Sequence, residues 1–126
     1  MPNNTDGARG EDYAAEYLAR KGYAILARNY RTRRGEIDLI AAQGDVLAFV
    51  EVKTRRANAW GSPASAVTPQ KQHKLILAAQ QYLLEHPSER LPRFDVVAIT
   101  TAGGGFRVLA CEHFEGAFGL NAANGF

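Results

Sequence analysis

Apolar and polar positions along the chain change their period several times, and each change marks an element. From Gly7 to Lys21 the period is helical, with Ala14, Tyr17 and Leu18 on one side and Arg9, Asp12, Glu16 and Arg20 on the other. Gly22 follows as a C-terminal stop. Tyr23 to Tyr30 reads as a strand, and the basic turn Arg31-Thr-Arg-Arg-Gly35 leads into two more, Glu36 to Gln43 and Val46 to Thr54. Gly44-Asp45 between them is a two-residue hairpin signal with Gly at the first central position. Arg55 to Ala66, with Gly61, Ser62 and Pro63, is expected to be a loop with Trp60 near its middle.

Thr68-Pro69 supplies an N-cap and first position for a second helix, with an apolar stripe of Leu75, Ile76, Ala79, Tyr82 and Leu83 and an end near His86-Pro87. Arg93 to Thr100 and Phe106 to Cys111 are further strands, joined by Ala102-Gly-Gly-Gly105. The order α-β-β-β-α-β-β, without repeats, predicts an α/β fold with a mixed sheet flanked by helices. The crossover through the second helix returns the chain parallel to an earlier strand. One domain over residues 1–120 is expected, with 121–126 as a frayed tail.

The hairpin carries the chemistry. With Gly44 and Asp45 in the turn, Gln43 faces Val46, and the same register sets Asp38 opposite Glu51 and Glu36 opposite Lys53. One face holds Ile37, Leu39 and Ala41 against Val52, Val50 and Ala48 and must be buried. The other runs from Ala42, Leu47, Ile40 and Phe49 into the charged end. Two carboxylates directly opposite repel each other, so the arrangement calls for a cation. Lys53 could act in a surface ion-pair cluster of small energetic weight. A divalent ion such as Mg2+ suits carboxylates at a core edge better, because it takes oxygen ligands and leaves positions for phosphate.

Glu11 falls on the apolar stripe of the first helix, where an inward acid is costly unless paired or bound to metal. Its alternative role is a first-turn acid complementing the helix dipole. Gln72 lies on the stripe of the second helix in the same way, as a candidate for the site or as a satisfied core amide.

Composition narrows the classes. A 126-residue chain can bury roughly two thirds of its unfolded surface without staples. Hydrophobic residues at 46% and charged ones at 22% exclude a wholly disordered chain. The lone Cys111 forms no internal disulfide and reads as a small buried hydrophobe, which fits a reducing cytoplasm. No signal-like apolar run opens the chain, and none approaches the roughly 20 apolar residues of a membrane span, so no membrane partner is expected. His73, His86 and His113 lack metal-ligand spacing, and Gly103 to Gly105 lacks the helix and Lys of a phosphate-binding loop. Net charge is only +2, but Arg and Lys cluster, as a solvated basic surface or a phosphate-binding one.

Asp38 followed by Glu51-x-Lys53 on the next strand, with Glu11 on a preceding helix, resembles the PD-(D/E)xK nuclease superfamily, especially its Holliday-junction-resolvase-like branch. More closely, the chain resembles the bacterial YraN-like family in its Gly10-to-Leu18, Arg28-Asn-Tyr-Arg31, Gly35-Glu-Ile-Asp-Leu-Ile-Ala41, Phe49-to-Arg55, Val67-to-Gln72 and Arg93-to-Val97 blocks. The superfamily's proline before the aspartate is replaced by Ile37.

The resemblance implies a restriction-endonuclease-like fold and a Mg2+ or Mn2+ cofactor. It implies Asp38, Glu51, the Val52 carbonyl and Glu11 as metal ligands, with Lys53 positioning or activating the attacking water. Glu11, Asp38, Glu51, Lys53 and Gln72 form the expected catalytic set. Arg31, Arg33, Arg34, Arg55, Arg56, Lys71 and Lys74 are expected to neutralise phosphates without reading sequence, and Trp60 could stack on an unpaired base or anchor its own loop. The expected activity is phosphodiester hydrolysis in DNA ahead of RNA, at branched or flapped structures. Resolvase-like nucleases often work as dimers, which adds a homodimer as an expectation of the same kind. The competing reading is a nucleic-acid-binding or protein-interaction module with a vestigial acidic site.

Overall fold

In a computed structural model, which describes residues 6–58, 67–103 and 105–118, the elements follow the expected order. They are α1 (Asp6–Arg20), β1 (Ala24–Arg31), β2 (Glu36–Gln43), β3 (Val46–Arg56), α2 (Pro69–Glu85), β4 (Leu91–Thr101) and β5 (Val108–Phe118). Gly22, at φ +98°, ends the turn after α1, and Gly44, at φ +55°, makes the β2–β3 hairpin turn. Thr68 caps α2 through its side chain with Pro69 in the first turn, and His86 closes its C-terminus.

The five strands form one sheet in the order β1-β2-β3-β4-β5. All neighbours are antiparallel except β3 and β4, which run parallel because α2 carries the chain back between them. The hairpin register is the expected one from Gln43–Val46 to Leu39–Val50.

Each helix covers one face of the sheet. Ala14 and Leu18 of α1 pack on Leu39, Ala41, Ala48, Val50, Val97 and Ile99. Leu75, Ile76, Ala79 and Tyr82 of α2 pack on Ile40, Ala42, Leu47, Phe49, Phe94 and Val96. Two-sided burial explains why β2 and β3 read as near-continuous apolar runs.

Four expectations need correction. Ile37 packs on the α2 side with Ile40, not with Leu39, so strand alternation is interrupted at Asp38. Glu36 pairs with Arg31 of β1 instead of Lys53, since the β2–β3 ladder has stopped before it. Arg55 and Arg56 belong to β3, opposite Thr100 and Thr101, and not to a loop. The last strand spans Val108–Phe118, beginning later and ending well beyond Cys111. As an edge strand it exposes polar side chains that hide its periodicity, and a register irregularity accompanies Gly116 at φ +60°.

Near the α1-side core a buried polar group is fully partnered. Asp95 accepts hydrogen bonds from Arg93 Nε at 2.8 Å and the Gly116 N–H at 3.0 Å, and His113 Nε2 lies 2.8 Å from it. These bonds tie the far half of β5 to β4. Among the described residues no helix is long and apolar enough to cross a membrane. Trp60, Gly61, Ser62, Pro63 and the 121–126 tail lie outside the described residues.

Candidate active site

The β2–β3 ladder stops at Leu39–Val50, and the side chain of Asp38 continues it: the Val52 N–H donates to Asp38 Oδ2 at 2.8 Å. Across β1 the register brackets Asn29 against Asp38, with Arg28 paired to Leu39 and Tyr30 to Ile37. Asn29 adopts φ +51°, the left-handed region that Asn tolerates better than most residues. The chain is therefore irregular on both sides of this aspartate. Asp38 is only 8% exposed, and burial, followed by the charge of Glu51, pushes its pKa up to about 8.

Glu51 projects beside it and meets two amines through one oxygen. Its Oε2 lies 3.6 Å from Lys53 Nζ and 3.7 Å from Lys71 Nζ. Lys71 comes from the first turn of α2, where its backbone N–H donates to the capping Thr68 Oγ1 at 3.3 Å. The two lysine amines also lie close enough to interact, and they can share a hydrogen bond only when one of them is neutral. Burial, and then the proximity of Lys71, lowers the pKa of Lys53, whereas the bond to Lys53 raises that of Lys71. Asp38, Glu51 and Lys53 thus come together as read from the hairpin, and Lys71, expected only to bind phosphate, joins them.

Asp38, Glu51 and Lys71 face a cavity of about 510 Å³, while Lys53 is not among its lining residues and reaches the group through Glu51. Asp38 and Glu51 line one wall, Lys71 and Lys74 another, and the turn between β1 and β2 a third. Thr32 shapes that turn: its Oγ1 donates to the Gly35 carbonyl at 2.9 Å and accepts from the N–H groups of Arg34 and Gly35 at 3.1 Å. Gly35 seats the turn on α2, because a Cβ there would come within 2.6 Å of the Lys74 carbonyl oxygen.

The remaining candidates separate. Arg33 and Arg34 line the cavity from the exposed turn. Arg31 lines it too, but its Nε donates to Glu36 at 2.9 Å. Arg55 and Arg56 lie farther along β3 and are not among the lining residues. Gln72 turns back instead of entering, with Nε2 donating to the Val67 carbonyl at 3.0 Å, so the core-amide reading is nearer the observed contact. Val52 contributes its backbone N–H to Asp38.

Glu11 is half-buried on α1 and hydrogen-bonded to the Asn29 side chain; burial raises its pKa, and its charge is felt at Asp38. Among the described residues no three His, Cys, Asp or Glu side chains converge as a ligand set. Glu11 therefore stands behind the Asp38–Glu51 pair, with Asn29 as its partner. The one clue to Asn29 in the sequence was a turn-forming residue inside an otherwise strand-like run.

Relatives named UPF0102 protein are 48% identical in Anaeromyxobacter dehalogenans, over 89% of this chain and 82% of theirs, and 50% identical in Chlorobium limicola, over 89% and 90%. Another, from Rhodococcus opacus, is 54% identical over 78% of this chain and 84% of its own. The model of the uncharacterised protein family UPF0102 matches residues 10–99, a span that runs from Gly10 beside Glu11 to Ile99 in β4 and so contains Asp38, Glu51, Lys53 and Lys71. The chain belongs to the YraN-like family UPF0102.

Proposed function

We propose that this protein is a Mg2+- or Mn2+-dependent nuclease of the PD-(D/E)xK type that hydrolyses phosphodiester bonds in DNA within the reducing cytoplasm. The observation that carries the reading is the meeting of Asp38, Glu51 and Lys71 at a cavity walled by Arg33, Arg34 and Lys74, with Lys53 held beside Glu51. A carboxylate pair beside a phosphate-attracting rim is the donor set that hard divalent cations prefer.

The residues fit such an ion. Asp38 is buried beside Glu51 with its pKa raised, so a divalent cation would relieve the repulsion that now favours a proton. Asp38 and Glu51 would hold it. When bound, the ion supplies Lewis-acid polarisation of a phosphoryl oxygen and acidifies a water.

The chain's own groups do the rest. The Val52 N–H holds Asp38 Oδ2 in one orientation. Lys53 positions or activates the attacking water, whose proton passes to it or to solvent as the water oxygen bonds to phosphorus. Lys71 presents an ammonium to the negative charge growing on the phosphoryl oxygens while the P–O ester bond breaks and the departing oxygen is protonated from solvent. Arg33 and Arg34 neutralise flanking phosphates from a turn that Gly35 holds against α2.

The test is cleavage of single-stranded, duplex, flap and four-way DNA with Mg2+ or Mn2+, and of matching RNAs, with binding followed in parallel. Wild type should cut at least one DNA form, and Asp38→Asn and Lys53→Ala should abolish cutting while retaining binding. Binding without any mutation-sensitive cleavage would replace the nuclease with a non-catalytic nucleic-acid-binding module.

A further inference from the structure

The cavity at Asp38 and Glu51 is not isolated. A second groove, of about 830 Å³, lies along the same turn and is walled by Arg31, Thr32, Arg33 and Arg34, residues that also line the first. The two share this arginine-bearing turn as a common wall, a ridge that a polyanion reaching from one to the other would cross.

Their walls differ in chemistry. The first presents carboxylates and lysines. The second is closed by the later turns of α2, with Leu77, Gln80, Gln81, Leu84 and Glu85, and by Tyr30. Its one acid is already engaged, since Glu85 accepts from Tyr30 Oη at 2.6 Å and from Gln81 Nε2 at 2.8 Å. The Tyr30 ring is fixed edge-on against Tyr82, with centroids 5.2 Å apart. Leu84 is 78% exposed, whereas Leu75, Ile76, Ala78, Ala79 and Tyr82 of the same helix are buried.

Guanidinium, aliphatic and amide groups in one groove suit a nucleotide whose base is uncovered. Phosphates meet the arginines, base faces meet leucine and guanidinium planes, and base edges meet amides. A duplex hides its base faces and offers nothing to Leu84. From Lys74 to Leu84 the helix rises about 15 Å, room for at most about four nucleotides at the stacked spacing of roughly 3.4 Å.

We infer that the groove between the Arg31–Arg34 turn and the outer face of α2 binds an unpaired arm of the nucleic-acid substrate, leading it over the ridge to Asp38 and Glu51. This rests on the nuclease reading for what happens at the far end of the arm. It makes the preferred substrate a junction of paired and single-stranded nucleic acid.

The experiment is fluorescence anisotropy on the full chain without divalent metal, so that no turnover is required. The probes are a blunt duplex and the same duplex with a short oligo-dT arm at the 3′ or the 5′ end. One arm should tighten binding at least about fivefold, the scale of a single base-stacking contact. Leu84→Glu, a change on the exposed face, should remove that gain and leave blunt-duplex affinity within about twofold.

Equal affinities for armed and blunt probes would overturn the inference, as would an arm preference unchanged in Leu84→Glu, which would locate the arm elsewhere. Equal weakening of both probes would also overturn it. Absence of cleavage in the metal assays would sink the nuclease reading and leave this result standing, so the two failures are separable.

Discussion

Lys71 Nζ, on the first turn of α2, lies 3.7 Å from Glu51 Oε2 on β3. This contact joins a helix to the charged end of the hairpin and places a second amine beside Lys53. Replacing Lys71 with Met should raise the pKa of Lys53 in the metal-free protein, because the neighbouring cation and its hydrogen bond both lower it. An NMR titration of the lysine side chains reads this directly. Cleavage should fall by about 100-fold, the scale for loss of one transition-state donor. An unmoved Lys53 titration would show that the amines do not interact.

Asp38 makes stability depend on pH. Its folded pKa of about 8 lies above the unfolded value near 3.9, so from about pH 4 to 8 the folded state keeps a proton that the unfolded state releases. Its contribution is full below the unfolded value and is lost as pH rises through the folded one. Asp38→Asn keeps an acceptor for the Val52 N–H but carries no charge. In urea denaturation without divalent metal, the variant should gain on wild type between pH 5 and 8.5 by on the order of a few kcal/mol. Saturating Mg2+ should narrow that gap by stabilising only the wild type. Parallel pH profiles in the absence of metal would contradict the burial argument.

Gly35 is required for space. A Cβ would come within 2.6 Å of the Lys74 carbonyl oxygen, so Gly35→Ala must push the turn off α2. The expected cost is about 1–3 kcal/mol, with weakened DNA binding as Arg33 and Arg34 move. Gly44→Ala is the control: nothing lies near its Cβ, and φ +55° makes the cost one of backbone strain in the distant hairpin turn. Denaturation midpoints and DNA affinities of the two variants should separate, with binding impaired only in the first.

Asn29 supports Glu11 from a left-handed backbone position. Asn29→Gly keeps that conformation accessible, whereas Asn29→Ala adds roughly 1–2 kcal/mol of strain. Both remove the amide that lowers the Glu11 pKa, so Glu11 should titrate higher in each by carboxyl NMR. The stability difference should appear only with Ala. Equal destabilisation by Gly and Ala would mean that the side chain, not the backbone, matters at this position.

Much of the fold was legible along the chain. Gly44-Asp45 set the turn, and two-sided burial left too few polar positions for β2 and β3 to slip, so the register could be read as far as Leu39 and Val50. The β5 boundary was not legible, because Asp95 holds its far half through His113 and Gly116, a contact across 18 and 21 residues. Neither did helical spacing reveal that Gln72 bonds back to Val67 instead of reaching the cavity.

The division has a physical cause. Period, turn chemistry and capping are local, so the order of the elements, the hairpin register as far as Leu39 and Val50, and the approach of Asp38 to Glu51 on adjoining strands could be read along the chain. Contacts between elements depend on packing. Packing between elements is what brings Lys71 of α2 onto Glu51, lets Gly35 seat the arginine turn on Lys74, and sets Asn29, with its left-handed backbone, beside Glu11. It also placed Arg55 and Arg56 on β3 beyond the cavity, because strand pairing with Thr100 and Thr101 carries them there.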